Sequence, residues 1–198
     1  MAVLWRAMGD DGVLVLRAGR DKSVRRRHPW VLSGSVERVE GDPAPGATVR
    51  VVSADGEMLG RAAYSPASRL RARMWTFDDA TTVDAELIAA RVTTAAARRA
   101  RLLHDTDTDA VRLVFSEADD LAGVIADRYG STVVLQLGSA GADRWRGEIT
   151  DALAALPGVD SVFERSDLDA RQREGLTART GLLAGPMPTD ELIIHEGP

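Results

Sequence analysis

Val49-Arg50-Val51-Val52-Ser53-Ala54-Asp55-Gly56-Glu57-Met58-Leu59-Gly60-Arg61-Ala62-Ala63 decides the fold of the first part of this 198-residue chain. Val49 to Val52 is rich in β-branched residues, which suit a strand. Asp55-Gly56 is a turn dipeptide, and Met58 to Ala63 returns as the hairpin partner. Outward from this hairpin, Val13-Leu14-Val15-Leu16 is a compact apolar run suited to a buried strand. Val31-Leu32 and Val36 flank Ser33-Gly34-Ser35, and Gly41-Asp42-Pro43-Ala44-Pro45-Gly46 is a loop. From Arg69 to Trp75 the chain alternates, with Arg69, Arg71 and Arg73 on one face of a strand and Leu70, Ala72 and Met74 on the other. Closely spaced short strands over residues 12–77 predict a small β-barrel.

Residues 82–103 predict a helix. Thr81 or Thr82 can cap it, Asp84 and Glu86 lie where the helix dipole favours acids, and Arg98, Arg99 and Arg101 lie near its end. Leu87, Ile88, Val92, Ala95, Leu102 and Leu103 give it an apolar stripe, so it bridges to a second unit. There, Val111–Phe115, Gly123–Asp127, Thr132–Leu137, Ser161–Glu164 and Glu191–His195 are strand candidates. A helix over Asp143–Leu156 is stopped by Pro157-Gly158. The order predicts a small α+β domain.

The net charge of −5 is unevenly spread. Residues 1–77 hold thirteen Lys and Arg against eight Asp and Glu, whereas residues 78–198 hold twelve against twenty-two. A basic unit joined to an acidic one predicts different partners for each. Only Lys22 among the basic residues is lysine, a bias that lowers the weight of arginine as a signal. The absence of cysteine excludes disulfides, thiolate nucleophiles and cysteine-bound zinc within these residues. No apolar run approaches the roughly 20 residues of a membrane helix. Met1–Asp11 has no apolar core of a secretory signal, so a cytoplasmic location is expected.

The densest chemistry is Gly19-Arg20-Asp21-Lys22-Ser23-Val24-Arg25-Arg26-Arg27-His28-Pro29-Trp30-Val31. Guanidinium groups pair with phosphate oxygens, and an indole offers a flat face to an unpaired base. Glu117-Ala118-Asp119-Asp120 reads as a polar hairpin loop, and Glu164-Arg165-Ser166-Asp167 as a local ion-pair or capping arrangement. His28, His104 and His195 are too scattered for a metal site, and Asp105, Asp107 and Asp109 lack the glycine and terminal glutamate of a calcium loop. Neither a Gly-x-Gly-x-x-Gly nor a Gly-x-x-x-x-Gly-Lys-Ser/Thr motif is present. No catalytic or metal-binding residue is predicted.

Several short motifs occur in one order: Lys22-Ser23, Arg26-Arg27-His28-Pro29-Trp30-Val31, Ser33-Gly34, Gly60-Arg61-Ala62-Ala63-Tyr64-Ser65-Pro66-Ala67-Ser68 and Arg71-Ala72-Arg73. Arg112-Leu113-Val114, Glu117 with Asp119-Asp120-Leu121-Ala122-Gly123, Asp127-Arg128-Tyr129-Gly130, Gln136-Leu137, Glu164-Arg165-Ser166-Asp167, Arg171 and Glu174-Gly175 follow. On these motifs the chain resembles the bacterial large-subunit ribosomal RNA cytosine-C5 methyltransferases that begin with a PUA domain.

The resemblance implies a mixed α/β (α+β) chain: a PUA-like RNA-binding barrel over 1–77, a bridging helix and linker over 78–107, and a small α+β middle domain over 108–198. In that family a Rossmann-like domain follows, binding S-adenosylmethionine and carrying a cysteine that attacks C6 of cytosine so that C5 accepts a methyl group. Without a cysteine or a glycine-rich loop, this chain is expected to lack the Rossmann-like catalytic domain, to hold no cofactor itself and to be inactive alone. It reads as the RNA-binding, substrate-positioning portion of a truncated enzyme, with S-adenosylmethionine reserved for the full-length one. The expected partners are ribosomal RNA and its own or a separate methyltransferase domain, with no membrane. Arg20, Lys22, Arg25, Arg26, Arg27, Arg69, Arg71 and Arg73 are the candidate phosphate contacts, with the strand row alternatively pairing to the acidic unit. His28 and Trp30 are the candidate base or sugar contacts. Two other readings stay open: a stand-alone protein-interaction module, and a metal-dependent enzyme using the acidic loops.

Overall fold

The computed structural model describes residues 12–105, 108–188 and 191–195. Its first sheet has six strands: β1 (Gly12–Leu16), β2 (Trp30–Leu32), β3 (Val36–Gly41), β4 (Thr48–Val52), β5 (Met58–Tyr64) and β6 (Leu70–Thr76). Their order is β2-β6-β5-β4-β1-β3, antiparallel throughout except for the parallel pair β1–β4. The edge strands β2 and β3 are consecutive in the chain, joined by a 3-10 turn at Ser33–Ser35. So short a connection spans no more than about 14 Å. The sheet must therefore roll until its edges approach, which makes it barrel-like.

The hairpin read from Val49 to Ala63 is β4–β5, with Val51 opposite Gly60 and Thr48 opposite Ala63. Its loop turns through Gly56, whose φ of 84° is open to glycine without a Cβ clash. Alternation places Val49 and Val51 in the barrel core with Leu14, Leu16, Val31, Ala62, Ala72 and Met74. Helix α1 (Lys22–Arg25) lies inside the basic run and buries only Val24 in that core. Full burial of such a side chain contributes about 1.5–3 kcal/mol. Anchoring α1 through Val24 turns its charged residues to solvent.

Helix α2 (Ala85–Asp105) leads to the second unit, and its Ile88, Val92 and Ala95 form one buried face. Its first turn is capped by Asp84, whose Oδ1 accepts the Leu87 N–H at 2.9 Å, rather than by Thr81 or Thr82. Thr81 is occupied with Asp78 Oδ2 at 2.9 Å. The second sheet comprises β7 (Ala110–Phe115), β8 (Val124–Tyr129), β9 (Thr132–Leu137), β10 (Ser161–Ser166) and β11 (Arg179–Ala184), in the order β11-β10-β9-β8-β7. Only β9 and β10 run parallel. Between them lie α3 (Ala140–Arg144) and α4 (Arg146–Ala154), and α5 (Asp169–Arg173) precedes β11. α2 packs on β7 and α4, and α4 on β10 and β11, covering one face of the sheet.

Two local expectations need correction. The last strand is Arg179–Ala184, not Glu191–His195, which has no regular structure and is tied to the residue before β7, His195 N–H donating to Asp109 Oδ1 at 2.8 Å. The single helix over Asp143–Leu156 starts earlier and is divided at Trp145 into α3 and α4. Ser139 caps α3 by accepting the Ala142 N–H at 3.1 Å. The alternating acids Asp105 and Asp107 lie outside the residues whose side chains are described.

The two sheets meet along a close seam. Trp75 and Ala63 of the first sheet belong to the apolar core of the second, and Gly141 of α3 lies directly on them. A Cβ on Gly141 would fall 2.3 Å from Ala63 Cβ, so only glycine lets α3 approach.

Candidate nucleic-acid interface

The basic run forms α1 and its exit turn. His28 N–H donates to Ser23 O at 2.9 Å and Arg27 N–H to Val24 O at 2.8 Å, which together close the helix as a Schellman motif. The residue at the left-handed position of that motif is usually glycine, and here it is Arg27, with φ of 61°. Its guanidinium lies over the Phe77 ring at 5.9 Å and lines a cavity of about 90 Å³ at the seam, with Pro29, Trp75, Glu117 and Asp120.

The ten sequence-predicted residues divide by geometry. Arg20, Lys22, Arg26, Arg27, His28, Trp30 and Arg69 are exposed. Among the described residues, Arg20, Lys22, Arg26 and Arg69 enter no ion pair. Arg69 lies in the turn before β6 rather than on the strand. Arg25 is exposed but fully engaged: Nε donates to Asp21 at 2.6 Å, and Nη1 and Nη2 donate to the two carboxylate oxygens of Glu57 at 2.8 and 2.7 Å. The Glu57 and Asp21 bonds push the Arg25 pKa up and hold both carboxyls below their usual range. Arg25 thus ties α1 to the β4–β5 turn.

Arg71 and Arg73 correct the picture of an exposed strand row. Arg71 donates to Pro66 O and is half-buried. Arg73, with a side chain 14% exposed, points into the seam, its Nη1 3.0 Å from Glu174 Oε1 and its Nε 3.9 Å from Glu117. Glu174 is buried there and also accepts from Ser65 Oγ at 2.7 Å and from the Ala140 N–H at 3.3 Å. No local pattern around Arg73 announces this, because Glu117 and Glu174 lie 44 and 101 positions further along the chain.

Trp30 is 44% exposed, and its Nε1–H donates to Glu117 Oε1 at 2.8 Å. His28 stands edge-on to the indole at 5.5 Å and accepts the Trp30 N–H on Nδ1 at 3.2 Å. Burial pushes the Glu117 carboxyl up, but hydrogen bonds from Ser116 and Trp30 and the Arg73 charge outweigh it and leave Glu117 below the ordinary range. The acidic loop itself is a 3-10 turn at Ser116–Asp119. Asp119 accepts the Phe115 N–H at 2.7 Å and pairs with Arg99 at 2.8 Å. Arg146 pairs with the buried Glu164 at 2.7 Å, and Ser166 Oγ accepts the Leu137 N–H at 2.9 Å. Arg171 is buried too, donating to Leu137 O at 2.6 Å and Asp143 at 2.8 Å. Among the described residues no group of three or more His, Asp or Glu is placed to hold a metal ion.

Residues 14–77 match the model of a PUA-like domain. Ribosomal RNA large subunit methyltransferase I of Shewanella amazonensis is 45% identical over 181 residues, covering 91% of this chain and 46% of that protein. The enzyme of the same name from Cronobacter sakazakii is 45% identical over 183 residues, covering 92% and 46%. The chain is homologous to these methyltransferases. It spans about half the length of the curated relatives it matches. A Streptococcus mutans protein described as a SAM-dependent methyltransferase overlays with a TM-score of 0.73 at 18% identity, over 90% of this chain and 44% of its own. A second solved structure, a methyltransferase described as complexed with SAH, overlays with a TM-score of 0.75 at 18% identity, over 92% and 45%.

These overlays correct two expectations. The expectation that the Rossmann-like catalytic domain is absent is overturned, because nine-tenths of the chain, the five-stranded sheet and its helices included, shares the fold of solved SAM-dependent methyltransferases. The expectation of no cofactor in this chain falls on the same finding, since one of those structures is described as complexed with SAH. Two cavities among the described residues measure about 150 and 90 Å³. Both are smaller than the roughly 300 Å³ at which ligand pockets begin. Neither fits a nucleoside cofactor, and no described residue is assigned to holding one. No helix among the described residues is long and apolar enough to cross a membrane.

Proposed function

We propose that this chain grips ribosomal RNA through α1 of its PUA-like unit, as part of an S-adenosylmethionine-dependent methyltransferase acting on the large ribosomal subunit in the cytoplasm. The observation that carries the reading is the exposed, unpaired set Arg20, Lys22 and Arg26, in and flanking a helix anchored by one buried valine. Its cations are free for phosphates, while the Arg25 brace fixes the direction in which they project. Phosphate contacts set register on an RNA, and exposed rings choose unpaired bases. Arg27, His28, Trp30 and Arg69 complete the proposed contact set. Arg25, Arg71 and Arg73 act by positioning: Arg25 is bonded to Glu57 and Asp21, Arg71 donates to Pro66 O, and Arg73 is held in the seam beside the Glu174 carboxylate. S-adenosylmethionine, when bound, supplies the methyl group.

The finer reading, methyl transfer to C5 of a cytosine, rests on the motif resemblance. Nucleotide mapping of ribosomal RNA from cells lacking the gene tests it: a lost 5-methylcytidine supports cytosine C5, and loss of a different methyl group removes it. For the RNA grip, electrophoretic titration with a large-subunit RNA fragment compares the wild type with a variant in which Arg20, Lys22, Arg26 and Arg27 are all alanine. The variant is expected to bind at least tenfold more weakly; equal binding removes the assignment.

A further inference from the structure

Trp30 and Phe115, 44% and 50% exposed, are the two large aromatic residues exposed among the described residues. They come from different sheets, yet one carboxylate links them. Glu117 accepts the Trp30 indole N–H at 2.8 Å and lies two residues beyond Phe115 in the turn after β7. That bond fixes the indole while leaving much of its surface open.

Phe115 faces outward because β7 is bulged. Its pairing with β8 shifts register between Arg112 and Val114, so Leu113 and Val114 are both buried. A regular strand would put residues three apart on opposite faces. The extra residue brings Arg112 and Phe115 to the same outward face, and bulges re-aim side chains in this way. Arg112 then lies over the Phe115 ring at 5.2 Å while paired to Asp127 at 2.7 and 3.1 Å. The ion pair leaves Arg112 little phosphate-binding capacity, but a held guanidinium plane beside a ring suits a base.

We infer that Trp30, Phe115 and the Arg112 guanidinium form a stacking site for unpaired RNA bases that continues from the PUA-like unit across the seam onto the second sheet. The inference rests on the RNA-binding reading above and extends the contact surface to residues outside the basic run. Such a site adds affinity for single strands without adding to the salt dependence, because stacking displaces no counterions. Trp30 follows Arg26 and Arg27 by only a few residues, so phosphates and bases of one strand can be held together at that end of the site.

The test uses the full chain with two probes, an RNA hairpin carrying a single-stranded loop and a fully paired duplex of the same stem. Phe115→Ala is expected to weaken loop binding by about 5- to 150-fold. The salt slope and duplex binding should stay at wild-type values, and Phe115→Trp should restore the affinity. Phe115→Leu, which keeps apolar surface without a ring, should remain weak. If Phe115→Ala leaves loop binding unchanged while the alanine variant of Arg20, Lys22, Arg26 and Arg27 still weakens it, the stacking site is overturned and the RNA grip stands. The aromatic edge would then belong to a protein contact. If neither variant changes RNA binding, both the site and the underlying reading fall.

Discussion

Two arginine-rich segments of the same barrel have opposite fates. In α1 and the residues flanking it, Arg20, Lys22 and Arg26 face solvent and enter no ion pair. In β6, Arg73 is drawn into the seam toward Glu174 and Glu117, and Arg71 serves the turn at Pro66. Composition does not separate them. What separates them is what the backbone is anchored to: α1 buries one valine at the barrel end, whereas β6 carries Trp75 into the core of the neighbouring unit. An arginine beside such a seam fixes the two units together, and one beyond it is free to meet another molecule.

The largest effect expected from this contrast is on stability. Arg73→Ala leaves the buried Glu174 without its cation, which costs about 3–5 kcal/mol. For a chain of this size that lowers the melting temperature by roughly 10 °C. Thermal unfolding checks it, and a shift as small as that of an α1 variant would erase the distinction between the two segments. Gly141→Ala attacks the same seam by crowding, since the new Cβ would meet Ala63 and Trp75. Overpacking of this kind costs about 1–3 kcal/mol, and a denaturant midpoint at the wild-type value would show the seam to be looser than described.

Arg27→Gly sharpens the other side. Glycine suits the left-handed turn, so stability should hold or rise by up to about 1 kcal/mol, while RNA affinity falls. A variant that gains stability and binds RNA as well as wild type would show that Arg27 has no role in binding. The smallest effect is a pH dependence. The Glu117 carboxyl is held below its ordinary value of 4.5, so its contribution is fully present above that value and is lost as pH falls through the depressed one. The melting-temperature difference between wild type and Glu117→Gln should therefore be flat near neutrality and shrink only in acid. A difference that shrinks near neutrality would contradict this.

The parts of the fold legible in the sequence are those written locally. Asp55-Gly56 marks the β4–β5 hairpin, and Ile88, Val92 and Ala95 mark the buried face of α2. β11 is not legible, because Gly181 and Gly185 interrupt or bound it and neither offers a strand-forming side chain. The division of α3 from α4 is hidden because Trp145 and its neighbours are acceptable helix residues. Of the candidate site, the exposed cations of α1 stand in one contiguous run and can be read directly. The Arg25–Glu57 brace, the Trp30–Glu117 bond and the Arg73–Glu174 pair join residues 32, 87 and about a hundred positions apart. The bulge that turns Phe115 outward is a property of pairing, which no single strand displays.

The central claim is that the free cations in and around α1 grip RNA phosphates. It is tested most directly by measuring the RNA dissociation constant over a range of salt concentrations, for the wild type and for the chain with Arg20, Lys22, Arg26 and Arg27 replaced by alanine. Removing one cation from its phosphate should lower the slope of log K against log salt by about 0.7–0.9. The account predicts weaker binding and a slope reduced by roughly 3 if all four cations meet phosphates. Equal affinity with an unchanged slope would contradict it.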